Sequence, residues 1–363
     1  MHVTLVGPAH PYKGGVVQHT TTLAHRLSAA GHDVALVSWS AQYPARLYPG
    51  VQRVSTPEVP VFPNTSYPLA WYRPDSWWRL GRSLRGRDGE TLLLALVTTV
   101  QIPAYLVMIA ALRRRKGRPG PTVGVIGHNV LPHEPRPGDH ALTRALLRRA
   151  DFTVTHSHEE QTLARTLGAA DVRYAELPPH GPAATASAPK NAGGAGLLFF
   201  GFIRPYKGVD VLLHAVAAVP GVRLVVAGEP WGDEDGLHSL VDELDLADRV
   251  ELRLRYLDND ELEPLLHDAD ALVLPYVSGT GTQQVRMAQT RGLPVIATRI
   301  GTLPEQVRDG VDGLLAEPND AEDLAAAIRR LYEPGRLERL RAGVRPPDDD
   351  AAWQRYVAAV TTG

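Results

Sequence analysis

The sequence contains no cysteine in 363 residues, so it forms no disulfide and offers no thiolate to a metal. It has little excess charge: the formal net charge is −2. A general nucleic-acid binder would carry a strong basic excess, so no nucleic-acid partner is expected. Lysine is scarce. Only Lys13, Lys116, Lys190 and Lys207 occur among 38 basic residues, the rest being arginine. Nor does the N-terminus, Met1-His2-Val3-Thr4-Leu5-Val6-Gly7, carry the basic and long apolar segments of a secretory signal. The expected location is therefore cytoplasmic. The longest apolar stretch, Leu92 to Leu112, is broken by Gln101 and Pro103. It reads as a buried strand, a loop and a helix from Pro103 to Leu112 in preference to a membrane span.

Apolar residues make up 44% of the chain, and its length suits two domains better than one. Strand patterns at 3–6 and 34–37 flank a helical repeat, Val16, Thr20, Leu23, Ala24 and Leu27, that ends at Gly31. This is a βαβ unit and implies a parallel sheet. Residues 40–80 read as irregular; Trp71, Trp77 and Trp78 there either stack on a sugar or lipid or simply pack. Residues 178–196 are rich in Pro, Ala and Gly without apolar periodicity. A second α/β series follows, with strands at 197–200, 223–227, 250–254, 271–274 and 294–297. The division expected is an N-terminal domain at 1–182, a linker at 183–196, a C-terminal domain at 197–345 and a tail helix at 346–363. The tail is expected to pack back on the first domain. Ligands in doubly wound sheets sit at the carboxyl ends of the strands, so the loops there are the candidate sites.

Four loops qualify. The first, Gly201-Phe202-Ile203-Arg204-Pro205-Tyr206-Lys207-Gly208, puts two cations at a helix N-terminus, where backbone N–H groups already favour an anion. A compact ammonium next to glycine in an arginine-rich chain suits a phosphate in a tight turn. The alternative is two solvated surface cations. The second, Ser278-Gly279-Thr280-Gly281-Thr282-Gln283, offers hydroxyls and close backbone approach. The third, Gly14-Gly15, opens the first long helix but lacks the dinucleotide fingerprint. The fourth, His128-Asn129-Val130-Leu131-Pro132-His133-Glu134, follows a strand. Its spacing is not HExxH, so no metal is expected. His128 is either a contact to the transferred sugar or reacting oxygen, or a structural loop histidine; His133, Glu134 and Trp71 are candidate acceptor or sugar contacts. The basic run from Arg113 to Lys116 after an apolar helix fits either a peripheral membrane contact or a solvated helix end.

The segment Leu293-Pro294-Val295-Ile296-Ala297-Thr298, with Gly301-Thr302-Leu303-Pro304-Glu305 and Asp309-Gly310-Val311-Asp312-Gly313-Leu314-Leu315, resembles the C-terminal signature of glycosyltransferase family 4. The Arg204–Gly208 loop resembles that family's diphosphate loop, and Gly14-Gly15 its N-terminal signature. The resemblance implies a retaining enzyme of the GT-B fold, two Rossmann-like doubly wound domains facing a central cleft. It further implies a nucleotide-diphosphate sugar donor, a hydroxyl acceptor, catalytic roles for His128, Arg204 and Lys207, donor binding by Arg204, Lys207, Ser278, Thr280, Gly281, Thr282 and Gln283, and no cofactor. One departure stands out. The family's two glutamates, with seven residues between them, fall here on Gly279 and Met287, and the second normally holds the donor ribose. Gln283, Gln284 or Arg286 are the neighbours able to replace it. A non-hydrolysing sugar-nucleotide epimerase and an inactive binding subunit share the architecture.

Overall fold

The computed structural model describes residues 1–43, 53–54, 57, 59–87, 89–113, 120–132, 136–178, 196–231, 234–279 and 282–361. These form two units: residues 1–182 with 348–363, and residues 183–347.

In the first unit, runs of β-branched and aliphatic residues build seven strands: β1 His2–Val6, β2 Asp33–Ala41, β3 Thr65–Ala70, β4 Glu90–Leu96, β5 Thr122–Gly127, β6 Phe152–Thr155 and β7 Val172–Tyr174. Their order is β3-β2-β1-β4-β5-β6-β7 and every pair is parallel. Val6 lies opposite both Val37 and Leu94, fixing the centre of the sheet. Strands buried on both faces read as continuous apolar runs, and β4 is buried along its whole length. The helices are α1 Gly15–Ala29, α2 Pro74–Ser83, α3 Ile102–Leu112, α4 Asp139–Leu147 and α5 His158–Thr166.

The second unit holds six strands: β8 Leu197–Phe200, β9 Leu224–Ala227, β10 Val250–Arg253, β11 Ala271–Leu274, β12 Val295–Thr298 and β13 Gly313–Ala316. Their order is β10-β9-β8-β11-β12-β13, again all parallel. Around them lie α6 Val209–Ala217, α7 Glu234–Glu243, α8 Asn259–Asp268, α9 Gln284–Gln289, α10 Leu303–Gln306, α11 Ala321–Leu331 and α12 Arg336–Gly343. The last helix, α13 Asp349–Thr361, belongs to the first unit. It buries Trp353, Tyr356 and Val360 in the cluster that contains Leu5, Leu23 and Ile126.

Two expectations need correction. Residues 40–80 are not irregular throughout, since β3 and α2 lie there. β3 is an edge strand, which tolerates Pro68 because an edge carries unpaired donors anyway. α2 starts with Pro74 at its first turn. Its Gly81 lets α3 approach closely: a Cβ there would lie 2.3 Å from the Met108 carbonyl. The second unit also has a sixth strand, β13, hidden inside the Asp309–Leu315 signature. The apolar stretch after residue 90 forms β4 and α3, and no described helix is long and apolar enough to cross a membrane. Arg113 pairs with Asp151 at 2.8 Å; Arg114, Arg115 and Lys116 lie outside the described residues.

Candidate functional site

In a doubly wound sheet the crevice opens where the strand order reverses. In the second unit that point lies between β8 and β11, whose following loops carry Arg204–Gly208 and Ser278–Gln283. Pro205–Lys207 form a single 3₁₀ turn, and Gly208 caps α6 at φ 66°, ψ 32°. No side chain caps α6, so its first N–H groups remain available to an anion. Glycine is required at 208: a Cβ would lie 2.1 Å from the Pro275 carbonyl. The two loops are joined further by the Val277 N–H donating to the Tyr206 carbonyl at 2.9 Å.

Lys207 is half-buried, and its ammonium sits 5.2 Å from the Tyr276 ring centroid. Burial pushes its pKa below the ordinary lysine value; Tyr206 opposes that shift and Arg204 adds to it. Its electrostatic neighbours are Tyr206 and Arg204, so no described carboxylate neutralises it. Arg204 lies 5.0 Å over the Trp231 ring and 5.4 Å over Tyr206. The arrangement holds two cations at one strand end without an acidic partner for the lysine. A half-buried ammonium of that kind favours an arriving anion.

Gln284 is the residue that loop-by-loop reading undervalued. It is buried, its amide donates to the Phe200 carbonyl, and its oxygen accepts from Tyr276 Oη and, at 3.0 Å, from Thr282 Oγ1. Thr298 Oγ1 donates to the Tyr276 carbonyl at 2.6 Å. The ends of β8, β11 and β12 are thus tied together around Lys207. Of the second loop's candidates, Ser278 is exposed, Thr282 and Gln283 are half-buried, and Thr280 and Gly281 lie outside the described residues. Met287 packs against the apolar core of this unit. Gly279 has φ 138°, a conformation that L side chains rarely adopt. The backbone where a glutamate would otherwise stand is therefore one suited to glycine.

In the first unit the order reverses between β1 and β4. The loop after β1 leads into α1, which Gly14 caps at φ 108° without any side-chain cap; Gly15 is the first residue of the helix. His128 follows β5, with its backbone N–H donating to the Leu96 carbonyl at 3.1 Å. Two histidines absent from the sequence expectations join it. Its ring centroid is 4.9 Å from His19, on α1, and 5.3 Å from His156, after β6. Burial pushes His156 down to about 4, although the Ala175 carbonyl on its Nδ1 pulls the other way. The His128 loop is held from below by Glu160, whose Oε1 accepts from the Val130 N–H at 3.0 Å. Burial raises that carboxyl to about 7. Trp71, after β3, is 40% exposed and stands edge-on to Tyr72 at 5.6 Å, whereas Trp77 packs inward and donates to the Ala70 carbonyl at 2.8 Å. His133 and Glu134 lie outside the described residues. No signal of composition or spacing marks His19 or His156, because only the folded sheet brings helix α1 and the loops after β5 and β6 together.

The family model for Glycosyltransferase Family 4 matches residues 13–178, and that for Glycosyl transferases group 1 matches residues 194–334. The chain belongs to the family 4 glycosyltransferases. Its parallel sheets and its structural neighbours give it the GT-B fold. Sucrose-phosphate synthase of Thermosynechococcus elongatus superposes with a TM-score of 0.70 at 18% identity, covering 98% of this chain and 97% of that one. Anabaena HepE in complex with UDP and glucose superposes with a TM-score of 0.70 at 16% identity, covering 99% and 97%. Among curated relatives, D-inositol 3-phosphate glycosyltransferase of Mycobacterium marinum is 42% identical over 137 residues, 37% of this chain. That match spans 29% of the relative's length. The Mycobacterium tuberculosis protein of the same name is 38% identical over 164 residues, 44% of this chain and 33% of the relative.

Proposed function

We propose that this chain transfers a hexose-type sugar from a nucleotide-diphosphate donor to a hydroxyl acceptor with retention of configuration. The observation that carries the reading is the Lys207 ammonium, half-buried at the β8–β11 switch point with no described acid beside it. An incoming diphosphate supplies the missing negative charge, and the uncapped start of α6 supplies N–H donors. As the sugar leaves, charge builds on the phosphate oxygens. Arg204 and Lys207, fixed before the reaction, stabilise that charge without reorganising. His128 serves the reacting oxygen or the sugar, and the donor is a substrate, so the reading calls for no cofactor or protein nucleophile. Family membership and neighbours solved with UDP and with UDP-glucose make uridine nucleotides the first donors to try.

A panel of nucleotide sugars, scored by thermal shift and by nucleotide release, tests the reading. Lys207→Ala should weaken diphosphate binding by roughly 1.5–3 kcal/mol, about 10- to 150-fold. Unchanged affinity in a folded Lys207→Ala variant would remove the reading's main support. The replacement of both signature glutamates by Gly279 and Met287 favours a second reading, a nucleotide-sugar-binding subunit without turnover. Tight binding with no nucleotide release, whatever acceptor is supplied, would select it.

A further inference from the structure

His19 is 1% exposed, which is unusual for a histidine on a helix next to an uncapped N-terminus. It is held by the far end of the chain. Tyr356 Oη lies 3.1 Å from His19 Nε2, and the Trp353 ring stacks on the imidazole at 5.4 Å with an interplanar angle of 23°. Both aromatic residues come from α13, after the chain has built the whole second unit. The helix is anchored independently of this contact. Arg26 pairs with Asp350 at 2.6 Å, and Arg173 donates to the Ala359 carbonyl at 2.9 Å. On its other side His19 meets His128 edge-on, with the rings 83° apart. Tyr356 also stacks on His156, 5.7 Å away at 27°.

We infer that α13 is a positioning element for the reaction: the Tyr356 hydroxyl fixes the His19 ring, and His19 in turn fixes the orientation of His128. Packing alone would be satisfied by phenylalanine at 356 and by any flat residue at 19. The hydroxyl on the imidazole nitrogen adds something packing does not need, a defined ring rotation for His19. Because the His19 and His128 rings meet nearly at right angles, 4.9 Å apart, a rotation of His19 changes the surface it presents to His128. Helix α1 starts in the loop at the β1–β4 reversal, the position at which ligands approach such a sheet. Tyr356 touches no substrate in this scheme; it acts through two imidazoles.

The inference rests on the reading of His128 as the group that serves the reacting oxygen, and a double-mutant cycle separates the two. Turnover, donor KM and thermal midpoint would be measured for Tyr356→Phe, His128→Ala and the double variant. Tyr356→Phe keeps the ring contacts with His19, His156 and Trp353 and removes only the hydroxyl. The expected result is a fall in kcat of about fivefold or more, an unchanged donor KM, and no further fall when Tyr356→Phe is added to His128→Ala. Should His128→Ala keep wild-type turnover, the reading of His128 fails, and this inference with it. Should His128→Ala lose turnover while Tyr356→Phe keeps it, the inference alone fails. An equal loss from Tyr356→Phe in both backgrounds would also overturn it, since that is what a merely structural hydroxyl would give. His19→Gln, which keeps an amide nitrogen to meet the hydroxyl, should retain more turnover than His19→Phe; the reverse order counts against the inference.

Discussion

His156, just after β6, and Glu160, in the first turn of α5, stand four residues apart, and burial moves them in opposite directions. Glu160 is raised from 4.5 to about 7, so between those values the fold holds a proton that the unfolded chain releases. Stability then falls as pH rises through that window and is level above it. His156 is lowered from 6.5 to about 4, so the unfolded chain takes up a proton that the fold refuses. Its contribution is present above about 6.5 and is lost as pH falls towards 4. The two slopes oppose each other from about 4.5 to 6.5. Glu160→Gln should leave stability rising with pH across that range, and His156→Gln should leave it falling, by up to about 1.4 kcal/mol per pH unit. Denaturant midpoints taken at half-unit pH steps would show the two tilts; parallel curves for the wild type and both variants would refute the assignment. At this scale the sequence was informative where a residue type was rare. Lys207 could be singled out from four lysines next to a glycine. Gln284 was named only as a stand-in for the missing glutamate; its tie between strand ends was not legible, because it lies in a bond to the Phe200 carbonyl, 84 positions away.

Elements tell the two kinds of glycine apart. Gly208 combines φ 66° with a carbonyl 2.1 Å from where a Cβ would be, whereas Gly221 has φ 81° and nothing within 4 Å. Gly221→Ala should therefore cost only the left-handed conformation, roughly 1–2 kcal/mol. Gly208→Ala should cost that and more, and should also weaken diphosphate binding, because the Pro275 carbonyl, next to Tyr276, must move away from the turn that carries Lys207. Equal denaturation midpoints for the two variants would show that the loop yields freely. The central strands and the long helices were legible from period alone, since β4 is buried on both faces and α1 repeats its apolar residues at helical spacing. The edge strand β3 was not. It carries a proline and exposed polar residues, which an edge permits and a central strand does not. Helix α2 was hidden for a related reason: its Gly81 reads as a breaker until α3 is seen packed against it.

For the molecule as a whole, residues 348–361 complete the first unit after the second has been built. A chain ending at Pro347 would expose the sites of Trp353, Tyr356 and Val360, each worth roughly 1.5–3 kcal/mol of buried apolar surface. Hydrogen exchange should then quicken in β1, β5 and β6 while β8, β11 and β12 keep their protection; uniform loss in both sheets, or none, would contradict the division. The alternation of strand and helix, the parallel sheets and the family were determined by the sequence alone. They rest on patterns repeated within ten or twenty residues and on short motifs such as Leu293–Thr298. The order of the strands, with β8 beside β11, belongs to the tertiary structure, because it depends on how each whole sheet buries both faces. So does the meeting of His19 with Tyr356, 337 positions apart. No local period records a contact that exists only once every intervening element has packed.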